Sequence, residues 1–392
     1  MLYIIRYSEI GVKSDKSRSF FEKLLTKNIA DTLKNRDANL KISRDRGRIY
    51  LETNYEKVSE LLEKIFGISS FSPVVRSSIN RKELVNQAAE YAKINLVDTG
   101  KFAVRCRRVG DHPYTSREIE VESGARIIQV YQGKIKVDLK RPDKTIFIEA
   151  REKEAYIYHR IIPGLGGLPT GSQGKFVSLI SGGIDSPVST YLMMKRGCQP
   201  ILLHFDNKPY CNDRNIDKVL KIAGILRQYA SGREVGLYIA PYGEILQHIT
   251  DSIPRSKYIC LICKRNMLKI AEKLAIMLKA EGIITGESIG QKASQTLTNI
   301  LVTTKALYKI PIHRPLITYD KLEIEATAKK IGTYEASIET PSCCSCVPAH
   351  PSINASLKTI ENVENSLGLE SLIEEAIHKT RKVKYNSHPA QL

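Results

Sequence analysis

No stretch of this 392-residue chain stays apolar for the ~18–20 residues that a membrane-crossing helix needs. The start, MLYIIRYSEIGVKS, lacks the basic region and small-residue cleavage site of a secretory signal. A cytoplasmic protein with no membrane partner is therefore expected. Internal repeats and low-complexity tracts are missing too, which excludes solenoid and linker-like architectures. Cysteine is not scarce, with eight residues, but a chain this long has no need of a disulfide framework. Acidic residues are in deficit: 42 Asp+Glu face 60 Lys+Arg, a formal charge of +18. So basic a balance points to a polyanionic partner, nucleic acid first, against the plainer reading of a merely soluble basic surface. The excess is spread along the chain and denser in its first part.

The length predicts two or three domains, since single cores seldom grow past roughly 250–300 residues. LYIIRY, RGRIYLET and FSPVVRS read as strands, with amphipathic helices SFFEKLLTKNIADTLKN and YEKVSELLEKIF between them. That alternation suggests a small α+β unit of ferredoxin-like type. A second α+β unit follows, with helices RKELVNQAAEYAKIN and SREIEVESGARIIQVY and strands KFAVRCRRVG, KVDLKRP and TIFIEAREKEAYIYHR. Turn residues in IPGLGGLPTGSQGK mark a linker. From residue 176 strands and helices alternate: FVSLI, PILLHF, EVGLYIAP and EGIITG with helical stretches between them, closing on a helical C-terminal segment. This predicts a doubly wound parallel sheet whose ligand sits beyond the carboxyl ends of the strands. Ser181–Ser186, His204-Phe205 and Gly286-Glu287 would converge there.

One stretch asks for chemistry. KFVSLISGGIDSPVST, residues 175–190, runs strand, glycine turn, helix. Small residues at Ser181, Gly182, Gly183 and Ser186 let backbone N–H groups approach an anion, and the helix dipole adds positive potential at the same point. Pro187 suits the first helical turn. The lysine of a nucleoside-triphosphate P-loop is missing, and so is the G-x-G-x-x-G spacing. An ordinary Gly-rich turn is the bland alternative.

The stretch resembles the pyrophosphate loop, S-G-G-x-D-S, of the ATP pyrophosphatase (PP-loop) superfamily. Those enzymes split ATP between the α and β phosphates and hold the departing pyrophosphate, a task that does not call for the P-loop lysine. Three further segments, CKRNMLKIAEKLA (263–275), GIITGESIGQKASQTLTNI (282–300) and HRPLITYDKLEIEATAKKIGTYEAS (313–337), narrow the resemblance. Together with YSEIGVKSDKSRSFFEKLLTKNI near the start and VDLKRPDKTIFIEAREKEAYIY (137–158), they resemble the tRNA 4-thiouridine synthetase family, also called tRNA sulfurtransferase or ThiI. The resemblance implies a ferredoxin-like domain over 1–59, a THUMP RNA-binding domain over 60–162, a linker over 163–175 and a PP-loop domain over 176–392. The rhodanese domain of some bacterial members is not expected.

By the same resemblance, ATP contacts Leu179, Ile180, Ser181, Gly182, Gly183, Asp185, Ser186, His204, Phe205, Lys264, Gly286 and Gln295. Asp185 organises the site with Mg²⁺, and Cys344 is the sulfur-bearing catalytic cysteine. The implied reaction adenylates O4 of uridine 8 of tRNA and replaces it with sulfur. The implied partners are tRNA, a sulfur donor (a cysteine desulfurase persulfide or inorganic sulfide), a sulfur-carrier protein of thiamine synthesis in some members, and a second copy of the chain. A related PP-loop thiolase acting on another uridine and a non-catalytic THUMP RNA-binding protein are the rival readings.

Five cysteines cluster in sequence: Cys260 and Cys263 as C-x-x-C, then Cys343, Cys344 and Cys346 in PSCCSCVP. Family members without the rhodanese domain imply that Cys260, Cys263 and Cys344 hold a 4Fe-4S or 3Fe-4S iron–sulfur cluster. A Cys344 persulfide resolved by a neighbouring thiol, and a zinc site completed by Cys343 or Cys346, stay open. Cys106, Cys198 and Cys211 read as ordinary thiols. Basic segments 41–48 and 105–118 have the composition of an RNA-facing surface.

Overall fold

The computed structural model describes residues 1–34, 36–37, 39–45, 47–211, 214–339 and 344–385. It divides into two units, one of Met1–Lys13, Leu33–Glu63 and Ile68–Gly166, the other of Ser14–Thr32, Lys64–Gly67 and the chain from Gly167 onward.

The first unit starts with β1 (Leu2–Arg6); the helix that follows, α1 (Asp15–Leu33), belongs but for its last residue to the second unit. Then come β2 (Lys41–Asp45), β3 (Arg48–Glu52), α2 (Val58–Leu62), β4 (Ser70–Ser77), α3 (Arg81–Asn95), β5 (Lys101–Arg108), α4 (Ser116–Val130), β6 (Lys136–Val137), β7 (Lys144–Ala150), β8 (Ala155–Tyr158) and β9 (Ile162–Pro163). One sheet runs β2-β3-β1-β4-β8-β7-β5-β6, with β9 paired to β4. β4 is the shared strand. Its first half pairs antiparallel with β1 (Val74 opposite Leu2) and its second half with β8 (Val75 opposite Ile157). Tyr3, Ile4 and Ile5 of β1 are buried, as a strand flanked by two others requires. Asn80 caps α3 through the amides of Lys82 and Glu83, and Thr115 with Glu118 forms a capping box on α4.

Two departures from the sequence reading have local causes. β2 is a strand although KISRD shows little alternation; it is an edge strand, mostly exposed, held by its ladder to β3. The run TIFIEAREKEAYIYHR is not one strand but the hairpin β7–β8, turning between Arg151 and Glu154.

The second unit continues with β10 (Lys175–Leu179), α5 (Asp185–Lys195), β11 (Gln199–Asp206), α6 (Arg214–Arg227), β12 (Gly236–Pro241), α7 (Gly243–Ser252), α8 (Ile259–Met277) and β13 (Gly282–Ile284). It ends with α9 (Leu297–Thr304), β14 (Ile312–His313), α10 (Lys321–Ile331), α11 (Tyr334–Ile338), α12 (Leu357–Ser366), α13 (Glu370–His378) and β15 (Arg381–Val383). The sheet order is β14-β13-β10-β11-β12-β15, parallel except for β15. From β10 the chain winds one way to β11 and β12, then crosses to β13 and β14. The reversal lies between β10 and β13, and such a switch point opens a crevice at the carboxyl ends of the strands.

The helical stretch expected after β12 breaks in two. Pro254 cannot continue α7, and Arg255 turns the chain at φ 58° before α8 begins. The C-terminal segment also breaks, at Gly368 (φ 59°), and its last described residues form β15 on the edge of β12 rather than helix. No helix among the described residues is long and apolar enough to cross a membrane.

Candidate active site

The crevice between β10 and β13 is filled by the glycine loop. Ile180 N–H donates to Leu203 O at 2.9 Å, which carries the strand ladder one residue past β10. Ser186 Oγ accepts from the Ser181 amide at 2.9 Å and donates back to Ser181 O at 3.2 Å. The Gly183 amide donates to Ser181 Oγ at 3.3 Å. Both serine hydroxyls thus hold the shape of the loop. No side chain caps α5, so the amides of its first turn and its positive dipole end are left for an anion.

One glycine is required by space, and a second is crowded by a side chain alone. A Cβ on Gly286 would lie 2.8 Å from Asp185 C and from Ser186 N, so β13 can meet the start of α5 only through a bare backbone. A Cβ on Gly182 would lie 2.5 Å from Asn215 Oδ1.

Leu179, Ser181, Asp185, Ser186, Lys264, Gly286 and Gln295 line one cavity of about 210 Å³. Charge is arranged at its rim. Glu287 accepts from Lys264 Nζ at 2.9 Å and from Arg314 Nε at 2.7 Å, with Thr285 Oγ1 at 3.1 Å. Burial alone would raise the Glu287 carboxyl, but the two cations outweigh it and hold it at about 2. Lys321, on the first turn of α10, donates to Asp185 Oδ1 at 2.7 Å. Gln295 is buried, and its Oε1 has no hydrogen-bond partner, a state that buried polar atoms seldom keep.

Five expected residues do not line this cavity. Ile180, Gly182 and Gly183 form the loop without lining the cavity. His204 is buried, with Nδ1 3.0 Å from Ile180 O, and burial pushes its pKa down. From there it supports the loop from below. Phe205 packs in the core, edge-on to Tyr242 at 5.4 Å. Sequence reasoning assigned nothing to Lys321, Arg314 or Lys292. The signal for Lys321 was its place after the helix cap Asp320, in the capping box with Glu323. Arg314 and Lys292 carry no local mark.

Cys260 and Cys263 sit near the start of α8. Cys344 lies close enough to act electrostatically on both, and on Cys211 and Cys346 as well. The nearness of Cys211, a solitary cysteine in sequence, comes from the fold. Burial pushes the thiols of Cys211 and Cys260 up, that of Cys346 to about 11 and that of Cys263 to about 12. Burial of this kind disfavours the thiolate form. None of the described cysteines is in a disulfide. Among the described residues no three His, Cys, Asp or Glu side chains converge as ligands of one metal ion. Cys343 lies outside the described residues.

The family model "Thiamine biosynthesis protein (ThiI)" matches residues 171–369, "ThiI ferredoxin-like domain" residues 2–72 and "THUMP domain" residues 80–160. The chain is 43% identical to a probable tRNA sulfurtransferase of Methanobrevibacter smithii, over 95% of this chain and 97% of the relative. A probable tRNA sulfurtransferase of Methanothermobacter thermautotrophicus is 41% identical, over 97% of each chain. A crystal structure of a 4-thiouridine synthetase–RNA complex with bound ATP superposes with a TM-score of 0.89 at 32% identity, covering 98% of this chain and 99% of that one. The fold is thus a ferredoxin-like domain, a THUMP domain and a doubly wound PP-loop domain in series, and the chain belongs to the ThiI family.

Proposed function

We propose that the chain is an ATP-dependent tRNA sulfurtransferase that converts uridine 8 of tRNA to 4-thiouridine. The observation that carries this reading is the uncapped start of α5, wrapped by Ser181–Ser186 and pressed against Gly286 at the sheet's switch point. It is a site for a leaving anion with no lysine set to transfer a γ-phosphoryl group. Uridine O4 attacks the α-phosphorus of ATP, and pyrophosphate departs into the loop amides. Sulfur then attacks C4, and AMP leaves with the former O4.

In this reading Lys264, fixed by Glu287, and Lys321, fixed by Asp185, place two ammonium groups beside the phosphates. Gln295 Oε1 is free to accept from the adenine or ribose. The Asp185 carboxylate at the cavity wall fits a Mg²⁺ ion, which would neutralise phosphate charge there. Cys344 carries the sulfur when a cysteine desulfurase persulfide supplies it; inorganic sulfide would instead attack C4 directly. Cys260, Cys263 and Cys344 are the donors an iron–sulfur cluster would use. As they stand they do not converge as a ligand set, so the transfer proposed runs through thiols. The RNA is taken by the THUMP region, where Arg105 and Arg107 point out of β5 on one face.

The test is nucleoside analysis of unmodified tRNA incubated with the protein, ATP, Mg²⁺ and a sulfur donor. 4-Thiouridine confined to position 8 is expected. A thionucleoside at another uridine, or RNA binding without any product, overturns the assignment.

A further inference from the structure

One buried side chain ties the turn that reaches the ATP cavity to the segment that follows Cys344. Lys292 and Gln295 line the cavity from that turn, residues 292–296. There the Gln295 amide donates to Lys292 O at 2.8 Å, and the Gly290 amide donates to Gln295 O at 3.1 Å. Asn299, on the first turn of α9, is wholly buried. Its Nδ2 donates to Ala293 O, within the turn, and to Ser352 O, both at 2.8 Å. Its Oδ1 accepts from the Ala355 amide at 3.1 Å. Two carbonyls and one N–H leave the side-chain amide a single orientation that satisfies all three. Thr296 repeats the link: its Oγ1 donates to Ile353 O at 2.7 Å and caps α9 by accepting from the Asn299 amide at 3.3 Å.

The segment so held continues the cysteine run. The Ser345 amide donates to Tyr210 O at 3.2 Å, and the Ser352 amide donates to Lys257 O, just before α8, at 3.0 Å. Pro348 and Pro351 stiffen the span between those two anchors. Beyond Ala355 the chain enters α12, whose buried Glu364 accepts from Arg265 Nε at 3.1 Å and Nη2 at 2.9 Å on α8. That ion pair holds α12 to α8 without help from Asn299.

We propose that Asn299 is a positioning residue that fixes the cysteine segment against the ATP turn, so that sulfur reaches C4 of the adenylated uridine before water does. The role rests on the sulfurtransferase reading above. The terminal sulfur of a Cys344 persulfide attacks C4, and AMP leaves with the electron pair of the C4–O bond. A dithiol such as dithiothreitol then cleaves the bond between Cys344 Sγ and the transferred sulfur. It returns the Cys344 thiol, releases 4-thiouridine and becomes a disulfide itself. Water attacking the same C4 also releases AMP but gives back uridine, so ATP is consumed without thiolation.

The test uses the full chain, charged with persulfide by a cysteine desulfurase and given unmodified tRNA, Mg²⁺, saturating ATP and dithiothreitol. AMP and 4-thiouridine are measured in the same samples. The wild type should form them in nearly equal amounts. In Asn299→Ala, AMP release should stay within about threefold of wild type while 4-thiouridine falls at least about tenfold, since a ~1 Å misplacement can slow a reaction about 100-fold. The AMP to 4-thiouridine ratio then rises at least about threefold, whereas a folding defect lowers both products together and leaves the ratio alone. Thr296→Asp is the second variant, because aspartate keeps the helix cap but cannot donate to Ile353 O; its ratio should rise too. Circular dichroism shows whether Asn299→Ala folds; where it does, its ratio decides, and where it does not, the ratio of Thr296→Asp decides. A deciding ratio that stays at the wild-type value overturns the inference. If the wild-type protein makes no 4-thiouridine, it is the sulfurtransferase reading that fails.

Discussion

Gly286→Ala asks whether the meeting of β13 with the start of α5 sets the phosphate site. The new Cβ would stand 2.8 Å from Asp185 C and Ser186 N and 3.0 Å from Ser186 Cα, all backbone atoms with no rotamer to yield. An ordinary contact begins at 3.4 Å, so the first turn of α5 must retreat by about 0.6 Å. Overpacking of this kind costs about 1–3 kcal/mol of stability. The catalytic cost is larger in proportion, because preorganised donors must hold within ~0.5 Å of their working position. A 1 Å error can lower rate about 100-fold. The tRNA-dependent release of pyrophosphate, followed with a coupled phosphate assay against ATP concentration, should show kcat/KM for ATP down about 10- to 100-fold. Urea unfolding should show the stability loss. Kinetics within twofold of wild type would refute the reasoning, because the loop would then have tolerated a displacement that the account says it cannot.

Three other outcomes follow from the same site. Glu287 is held at about 2 when folded, below its ordinary value, so its contribution is present above pH ~4.5 and lost as pH falls through about 2. At ~1.4 kcal/mol per unit this is about 3 kcal/mol; urea unfolding between pH 7 and 2.5 should show that loss in the wild type and not in Glu287→Gln. Asp185→Asn breaks a partly exposed pair with Lys321, worth about 0–1 kcal/mol, so unfolding should barely change while pyrophosphate release falls about 100-fold or more; a stability loss matching the activity loss would make Asp185 merely structural. Gln295→Leu removes a buried acceptor that lacks a partner, so thermal stability should hold while ATP affinity, read by calorimetry, weakens about 5- to 20-fold.

The architecture was legible where period and punctuation agreed. Arg81–Asn95 was readable as a helix to the residue, because an amphipathic run follows the cap Asn80. Ser181–Ser186 declared itself because few other uses place two glycines between an apolar strand and a helix. Reading failed where the partner is remote in sequence. β15 has no strand pattern of its own and exists because β12 offers an edge. The bond of His204 to the carbonyl of Ile180, on the neighbouring strand, was equally out of sight in the sequence. Arg314 and Lys321 reach the site from segments far along the chain, to meet Glu287 and Asp185. Tyr210 and Ser345 are joined by one backbone hydrogen bond that no spacing rule anticipates. Composition and motif located the chemistry; long-range pairing decided which side chains share it.

The central claim is that uridine O4 takes the adenylyl group while the loop receives pyrophosphate. The direct measurement is to give the protein tRNA carrying ¹⁸O at O4 of uridine 8, with ATP, Mg²⁺ and a sulfur donor, and to weigh the nucleotide products by mass spectrometry. One ¹⁸O in AMP, in step with 4-thiouridine formed, is the predicted result. Recovery of the label in water or in orthophosphate, with ADP as the nucleotide product, would contradict it.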